Sequence, residues 1–113
     1  MIADDEKDIV EVLSFILEDA GYEVNWTANN ETTKKVQEYV PDVLLLDIWM
    51  IGVNGQDICK YLKSQDKTRN IPIIMISAHS DTKKIALEAG ANDFIIKPFD
   101  MEQLLSKVKE HLN

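Results

Sequence analysis

Asp42-Val43-Leu44-Leu45-Leu46-Asp47 is the stretch that decides the fold. Val43 to Leu46 are apolar without interruption and follow a Pro41-Asp42 turn signal. Such a run is the pattern of a short strand buried on both faces, as in a parallel sheet. It stops at the carboxylate of Asp47, and Gly52, Asn54 and Gly55 then mark a loop. Asp47 is therefore expected where a central strand leaves the core. In open α/β sheets ligands bind outside the carboxyl ends of the strands.

Working outward, the same unit recurs. Met1-Ile2-Ala3 is a short apolar start, cut off by Asp4-Asp5-Glu6. Ile9, Val12, Leu13, Ile16, Leu17 and Ala20 mark one face of a first helix, stopped at Gly21. Tyr22 to Thr27 reads as a strand with Tyr22, Val24 and Trp26 on one face. Asn29 or Asn30 is the expected cap of a second helix running to Tyr39. Beyond the Asp47 loop, Gln56 to Ser64 is a third helix with Ile58, Tyr61 and Leu62 inward. Ile71 to Ile76 is another buried strand, with Pro72 near its start, where a strand tolerates one. Asp81 is the expected cap of a fourth helix, Thr82 to Ala89, closed by Gly90. Phe94-Ile95-Ile96 is a fifth strand ending at Lys97-Pro98. Asp100, with Gln103 three residues on, opens a last helix whose apolar face is Met101, Leu104, Leu105, Val108 and Leu112. Strict alternation of strand and helix with short connections predicts an α/β fold, a doubly wound parallel sheet with helices on both faces. Residues 1–113 read as one domain, without repeat, linker or low-complexity segment.

Composition narrows the class. The 113 residues are 45% hydrophobic and 28% charged, with a formal net charge of −8. That balance argues against direct nucleic-acid contact and suits a metal cation or a basic partner surface. Cys59 is the single cysteine, so no internal disulfide forms, and its place in a helix predicts a buried, inert thiol. No apolar run approaches a membrane span and no signal peptide is recognisable, so the expected location is cytoplasmic.

The chemistry lies at the ends of the strands: Asp4-Asp5, Asp47, Ser77 and Lys97. Each has an ordinary explanation alone, such as a helix-dipole partner or a turn. In a parallel sheet all of them fall on one edge. Clustered carboxylates repel unless a cation joins them. Oxygen ligands without His or Cys suit a hard ion such as Mg²⁺. A carboxylate there can act as a nucleophile and form an acyl phosphate. Phosphoryl transfer further needs positive charge and donors around the phosphoryl oxygens.

The chain resembles the receiver domains of two-component response regulators. The residues that carry the resemblance are Asp4-Asp5-Glu6, Asp47 with Met50 and Asn54-Gly55 after it, Ser77-Ala78, and Gly90-Ala91 leading to Lys97-Pro98-Phe99. It implies a five-stranded, flavodoxin-like sheet in order 2-1-3-4-5, with the first strand shorter than is usual in the family. It implies that Asp47 accepts a phosphoryl group from a sensor histidine kinase or a histidine phosphotransfer protein. Asp5, Asp47 and the backbone carbonyl of Trp49 would hold Mg²⁺, with Asp4 acting through water. Lys97 and Ala78 would bind the phosphoryl group, and the Lys97-Pro98 bond would be cis. Ser77 and Phe94 would be the switch pair. Trp49 and His79 would border the phosphoryl group and tune its lifetime, the Trp49 side chain lying at the mouth of the site. Trp49 emission is expected to respond to Mg²⁺, with Trp26 as the insensitive control. Ile51 stands where the family usually has proline.

The output surface implied is the face of the fourth helix, fifth strand and fifth helix, with Lys83, Lys84, Glu88, Asp93, Lys107 and Lys109. It would serve a phosphorylation-dependent homodimer or an effector. The expected protein is a signalling phosphoacceptor that catalyses only its own phosphorylation and dephosphorylation. The alternative is a phosphorylation-independent interaction module of the same fold, against which intact Asp5, Asp47, Ser77 and Lys97 argue. An aspartyl phosphatase would want a second Asp where Trp49 stands. A flavin carrier would not place Asp4-Asp5-Glu6 after its first strand.

Overall fold

Alternate residues of the apolar runs feed two separate cores. The computed structural model describes residues 1–112. Its main sheet consists of β1 (Ile2–Ala3), β2 (Trp26–Thr27), β3 (Leu44–Asp47), β4 (Ile73–Ser77) and β5 (Asp93–Ile96), all parallel, in the order β2-β1-β3-β4-β5. The helices are α1 (Lys7–Asp19), α2 (Thr32–Tyr39), α3 (Gly55–Ser64), α4 (Thr82–Ala89) and α5 (Met101–His111). Leu44, Leu46, Ile73 and Met75 pack on Val36 of α2, Ile58 and Leu62 of α3, and Ala86 and Ala89 of α4. Leu45, Ile74, Ile76 and Ile95 pack on Val10, Leu13 and Leu17 of α1 and on Leu104 and Val108 of α5. This is the doubly wound, two-faced sheet that the strand–helix alternation predicts. Cys59 is buried beside α4, its thiol directed at the Ala89 carbonyl, and burial pushes the thiol up to about 11.

Several local expectations are corrected. On α1 the expected Leu13 and Leu17 are buried and Ile9 and Ile16 pack on the core, but Val12 and Ala20 are exposed and Val10 is buried instead. The inward stripe passes through Val10, because Val10, Leu13 and Leu17 share one side of the helix. Tyr61 of α3 is exposed and its hydroxyl accepts from the Gln37 side chain, so Cys59 takes the inward place expected for it. Strand β2 comprises only Trp26–Thr27, since its sole neighbour β1 offers Ile2 and Ala3 for pairing. Tyr22 and Val24 still pack on the α1–α5 core, but Trp26 is about half exposed. Neither Asn29 nor Asn30 caps α2: both lie in a 3₁₀ turn, Asn29–Glu31, that precedes the helix. Asp81 occupies the N-cap position of α4 without a side-chain capping bond. Asp100 does cap α5, accepting the Gln103 N–H at 2.7 Å.

The loop after Asp47 is more ordered than its glycines suggest. Trp49–Met50 and Val53–Asn54 form a small antiparallel hairpin that turns at Gly52, with φ +80°. Asn54 then caps α3 by accepting the Gln56 N–H at 2.8 Å. Gly55 starts α3 against the end of β3, where an added Cβ would lie 2.6 Å from the Asp47 carbonyl oxygen and 2.6 Å from Ile48 Cα. The helix and the end of β3 touch backbone to backbone, and only glycine permits it. We expect Gly55→Ala to cost about 1–3 kcal/mol in a urea melt, the range for overpacking. An unchanged midpoint would show that the approach is looser than described.

Candidate functional site

Register alone assembles the site. Ala3 pairs with Leu46, so Asp4 emerges beside Asp47. Asp47 pairs with Ile76, and Ser77 with Ile96, so Ser77 and Lys97 come next along the same sheet edge. The Lys97 N–H donates to the Ser77 carbonyl at 2.8 Å and the Ile48 N–H to the Ile76 carbonyl at 3.1 Å, which holds the strand ends level. The Lys97-Pro98 bond is cis.

Both central carboxylates are buried, Asp4 at 1% and Asp47 at 4% exposure. Asp4 Oδ1 accepts the Glu6 N–H at 2.9 Å. Its Oδ2 is buried without a hydrogen bond and lies 3.6 Å from Lys97 Nζ. Asp47 Oδ1 accepts the Trp49 N–H at 3.3 Å. Carboxylate oxygens of Asp4, Glu6 and Asp47 lie within 4.8 Å of one another. Glu6 is the member of this group to which the sequence assigns no role, although it stands in the acidic run. The turn made by Asp4 and the Glu6 N–H folds it back over the edge. Asp5, expected as a direct metal ligand, stands next to this group and its Oδ2 accepts the Ile51 N–H at 2.7 Å. That bond ties the turn after β1 to the hairpin after β3. The acidic donor set is all oxygen, and one buried carboxylate oxygen, Asp4 Oδ2, has no hydrogen bond, which fits a hard divalent cation.

The remaining positions surround this group. Ser77 is buried, its Oγ accepts the His79 N–H at 3.0 Å, and Ala78 between them is exposed. The Trp49 side chain is 49% exposed, outside the core, and its ring centroid is 5.1 Å from that of His79. The Trp26 indole N–H donates to the Asp4 carbonyl at 2.7 Å, which sets the expected insensitive control against the backbone of the site. Phe94 pairs with Met75 and is partly buried against the α2–α4 core.

Burial pushes Asp47 up from 3.8 to about 6; Lys97 and the Trp49 N–H oppose this, while Asp4 and Asp5 add to it. The folded chain therefore binds a proton at Asp47 in a window, between about pH 4 and 6, where the unfolded chain has lost it. Stability from this group is present below pH 4 and is lost as pH rises through 6. With a chelator present, Asp47→Asn should exceed the parent at pH 7 by about 1–2 kcal/mol, with the gap closing toward pH 4. Urea melts at the two pH values measure this, and an equal gap at both would contradict it.

Comparison with known proteins agrees with this geometry. Residues 1–109 match the family described as response regulator receiver domain. The signal receiver domain of a signal transduction histidine kinase from Syntrophus aciditrophicus is 35% identical, with a TM-score of 0.90 over 98% of this chain and 86% of that one. The chemotaxis protein CheY4 of Vibrio cholerae is 31% identical, with a TM-score of 0.89 over 98% and 95% of the two chains. The receiver domain of NtrX from Brucella abortus is 30% identical, with a TM-score of 0.84 over 98% and 95%. With its sheet order, its acidic edge and these matches in accord, the chain belongs to the response regulator receiver domain family.

Proposed function

We propose that this receiver takes a phosphoryl group onto Asp47 from a phosphohistidine of a sensor kinase or phosphotransfer protein, with Mg²⁺ bound. The observation that carries the reading is the buried pair Asp4 and Asp47, with an Asp4 oxygen that lacks a hydrogen bond and the Lys97 ammonium 3.6 Å from it. Asp5, Asp47 and the Trp49 carbonyl would hold the ion, with Asp4 through water and Glu6 close by. When bound, Mg²⁺ supplies positive charge that lowers the Asp47 pKa and neutralises phosphoryl oxygens. An ionised Asp47 oxygen attacks phosphorus. The new P–O bond forms as the P–N bond to the donor imidazole breaks, and the bond pair stays on that nitrogen, which takes up a proton. Lys97 and the Ala78 N–H receive the phosphoryl oxygens. Lys97, now beside Asp4, has only to shift its flexible stem to do so.

The switch draws on the same geometry. A phosphoryl group on Asp47 offers the Ser77 hydroxyl proton an ionised acceptor, whereas its present local partner, the His79 N–H, only donates to it. Ser77 and Phe94 project to one face of the sheet, so withdrawal of the hydroxyl frees space toward which the ring can turn. The α4–β5–α5 face would carry that change to a second copy or an effector.

Incubation with Mg²⁺ and a small radiolabelled phosphodonor should place one acid-labile phosphoryl group on Asp47. Equal labelling of Asp47→Asn would refute the assignment.

Phosphoryl lifetime is the second measurable consequence. The Trp49 indole, about half exposed beside the His79 ring, would stand at the mouth of the site, and it has no group able to accept a proton from water. It obstructs water rather than activating it. Trp49→Ala should speed loss of the phosphoryl group several-fold, and more than His79→Ala does. Dephosphorylation of Trp49→Ala as slow as the parent's would remove the shielding role.

A further inference from the structure

Phe94 is not held by packing alone. It lies on the edge strand β5, whose residues alternate between the two faces of the sheet. Phe94 faces the α2–α4 core, whereas α5 covers the opposite face. One side chain of α5 nevertheless reaches the ring. Lys107 Nζ stands 5.4 Å from the Phe94 centroid, within cation–π range. It is placed there by Asp93, whose Oδ1 accepts from Lys107 Nζ at 2.8 Å and from the Phe94 N–H at 2.8 Å. The other Asp93 oxygen lies 3.1 Å from His111 Nε2, one turn further along α5. One carboxylate thus binds the backbone of Phe94 and two side chains of α5, and it aims a charge at the ring.

We propose that Lys107, aimed by Asp93, is a positioning residue that holds the Phe94 ring in its present, partly exposed place beside the ammonium and so sets the threshold of the switch. The proposal rests on the reading of Phe94 as the switching aromatic. Inward rotation carries the ring away from the ammonium, and that attraction is lost only in the inward state. A contact present in one of two states biases the equilibrium by its full worth. Lys107 therefore favours the unphosphorylated form without touching the phosphoacceptor.

The test uses the full chain carrying 4-fluorophenylalanine. There are three phenylalanines, so a ¹⁹F spectrum resolves Phe94 after assignment against Phe15 and Phe99. The difference in shift between H₂O and D₂O reports how exposed each ring is. Lys107→Met keeps the stem and removes the charge; Lys107→Arg keeps the charge and can serve both the carboxylate and the ring. Without any phosphodonor, Lys107→Met should shift the inward-to-outward ratio of Phe94 by about two- to fivefold, as for a partly exposed cation–π contact. Lys107→Arg should match the parent. Phosphorylation of Asp47 by a small donor should speed up by a similar factor in Lys107→Met and not in Lys107→Arg. A Phe94 ring equally exposed in Lys107→Met and the parent would overturn the proposal, as would a Lys107→Arg protein behaving like Lys107→Met. A ring that moves without any change in rate would overturn the coupling to the switch. A parent that takes no phosphoryl group fails the phosphoacceptor reading instead, and the donor-free spectra tell that failure apart.

Discussion

Two carboxylates buried side by side are the constraint on which the site depends. Asp4 and Asp47 leave adjacent strands of a parallel sheet at the same level, and one ammonium faces them. Burying like charges together is unfavourable unless donors or cations compensate. The protein supplies local donors: the Glu6 N–H to Asp4, the Trp49 N–H to Asp47 and the Ile51 N–H to Asp5. Each donor comes from a loop after β1 or β3. These loops are shaped by the charges as much as the charges are placed by the loops. The Asp47 carboxyl still sits well above its ordinary pKa, because burial outweighs what Lys97 and the Trp49 N–H return. A site left in that condition is poised for a cation.

Much of this arrangement was legible in the chain because parallel sheets write it twice. The apolar runs at Leu44–Leu46 and Ile73–Ile76 mark the central strands, and the polar residue that ends each run marks the site. Period 2 then distributes Leu45 to one core and Leu44 and Leu46 to the other, so nothing beyond strand identity was needed to place Asp47 and Ser77. The carboxylate of Glu6 was harder to place. Its approach depends on a turn at Asp4, and a helix-start signal reads the same whether its acid points out or back.

The helices were less legible, for a physical reason. On α1 the stripe through Ile9, Val12, Leu13, Ile16 and Leu17 is wide enough to rotate by a residue without losing its amphipathic pattern. Packing against α5 and β4 chooses Val10 over Val12 and leaves Phe15 outside, and sequence periodicity has no access to that choice. Trp26 shows the same limit. Alternation put it on one face with Tyr22 and Val24, yet only those two pack on the core; β2 ends at Trp26–Thr27, and the Trp26 indole N–H finds the Asp4 carbonyl. An edge strand keeps side chains near the sheet end, where polar groups compete for an amphipathic ring.

The opposite edge of the sheet is where the proposed switch would reach the surface. β5 has one strand neighbour, β4, and its alternation splits four residues between two tasks. Phe94 and Ile96 face the side of Ser77, whose strand adjoins that of Asp47. Asp93 and Ile95 face α5, where Ile95 is fully buried and Asp93 binds Lys107 and His111. A strand inside the sheet would have helices packed over both faces and a neighbour on each side, leaving a side chain such as Phe94 no open flank. An edge strand has an open flank, and around that flank Lys107 crosses from the α5 side to the ring of Phe94. The position of β5 at the edge thus puts Asp93, one residue from Phe94, against Lys107 and His111.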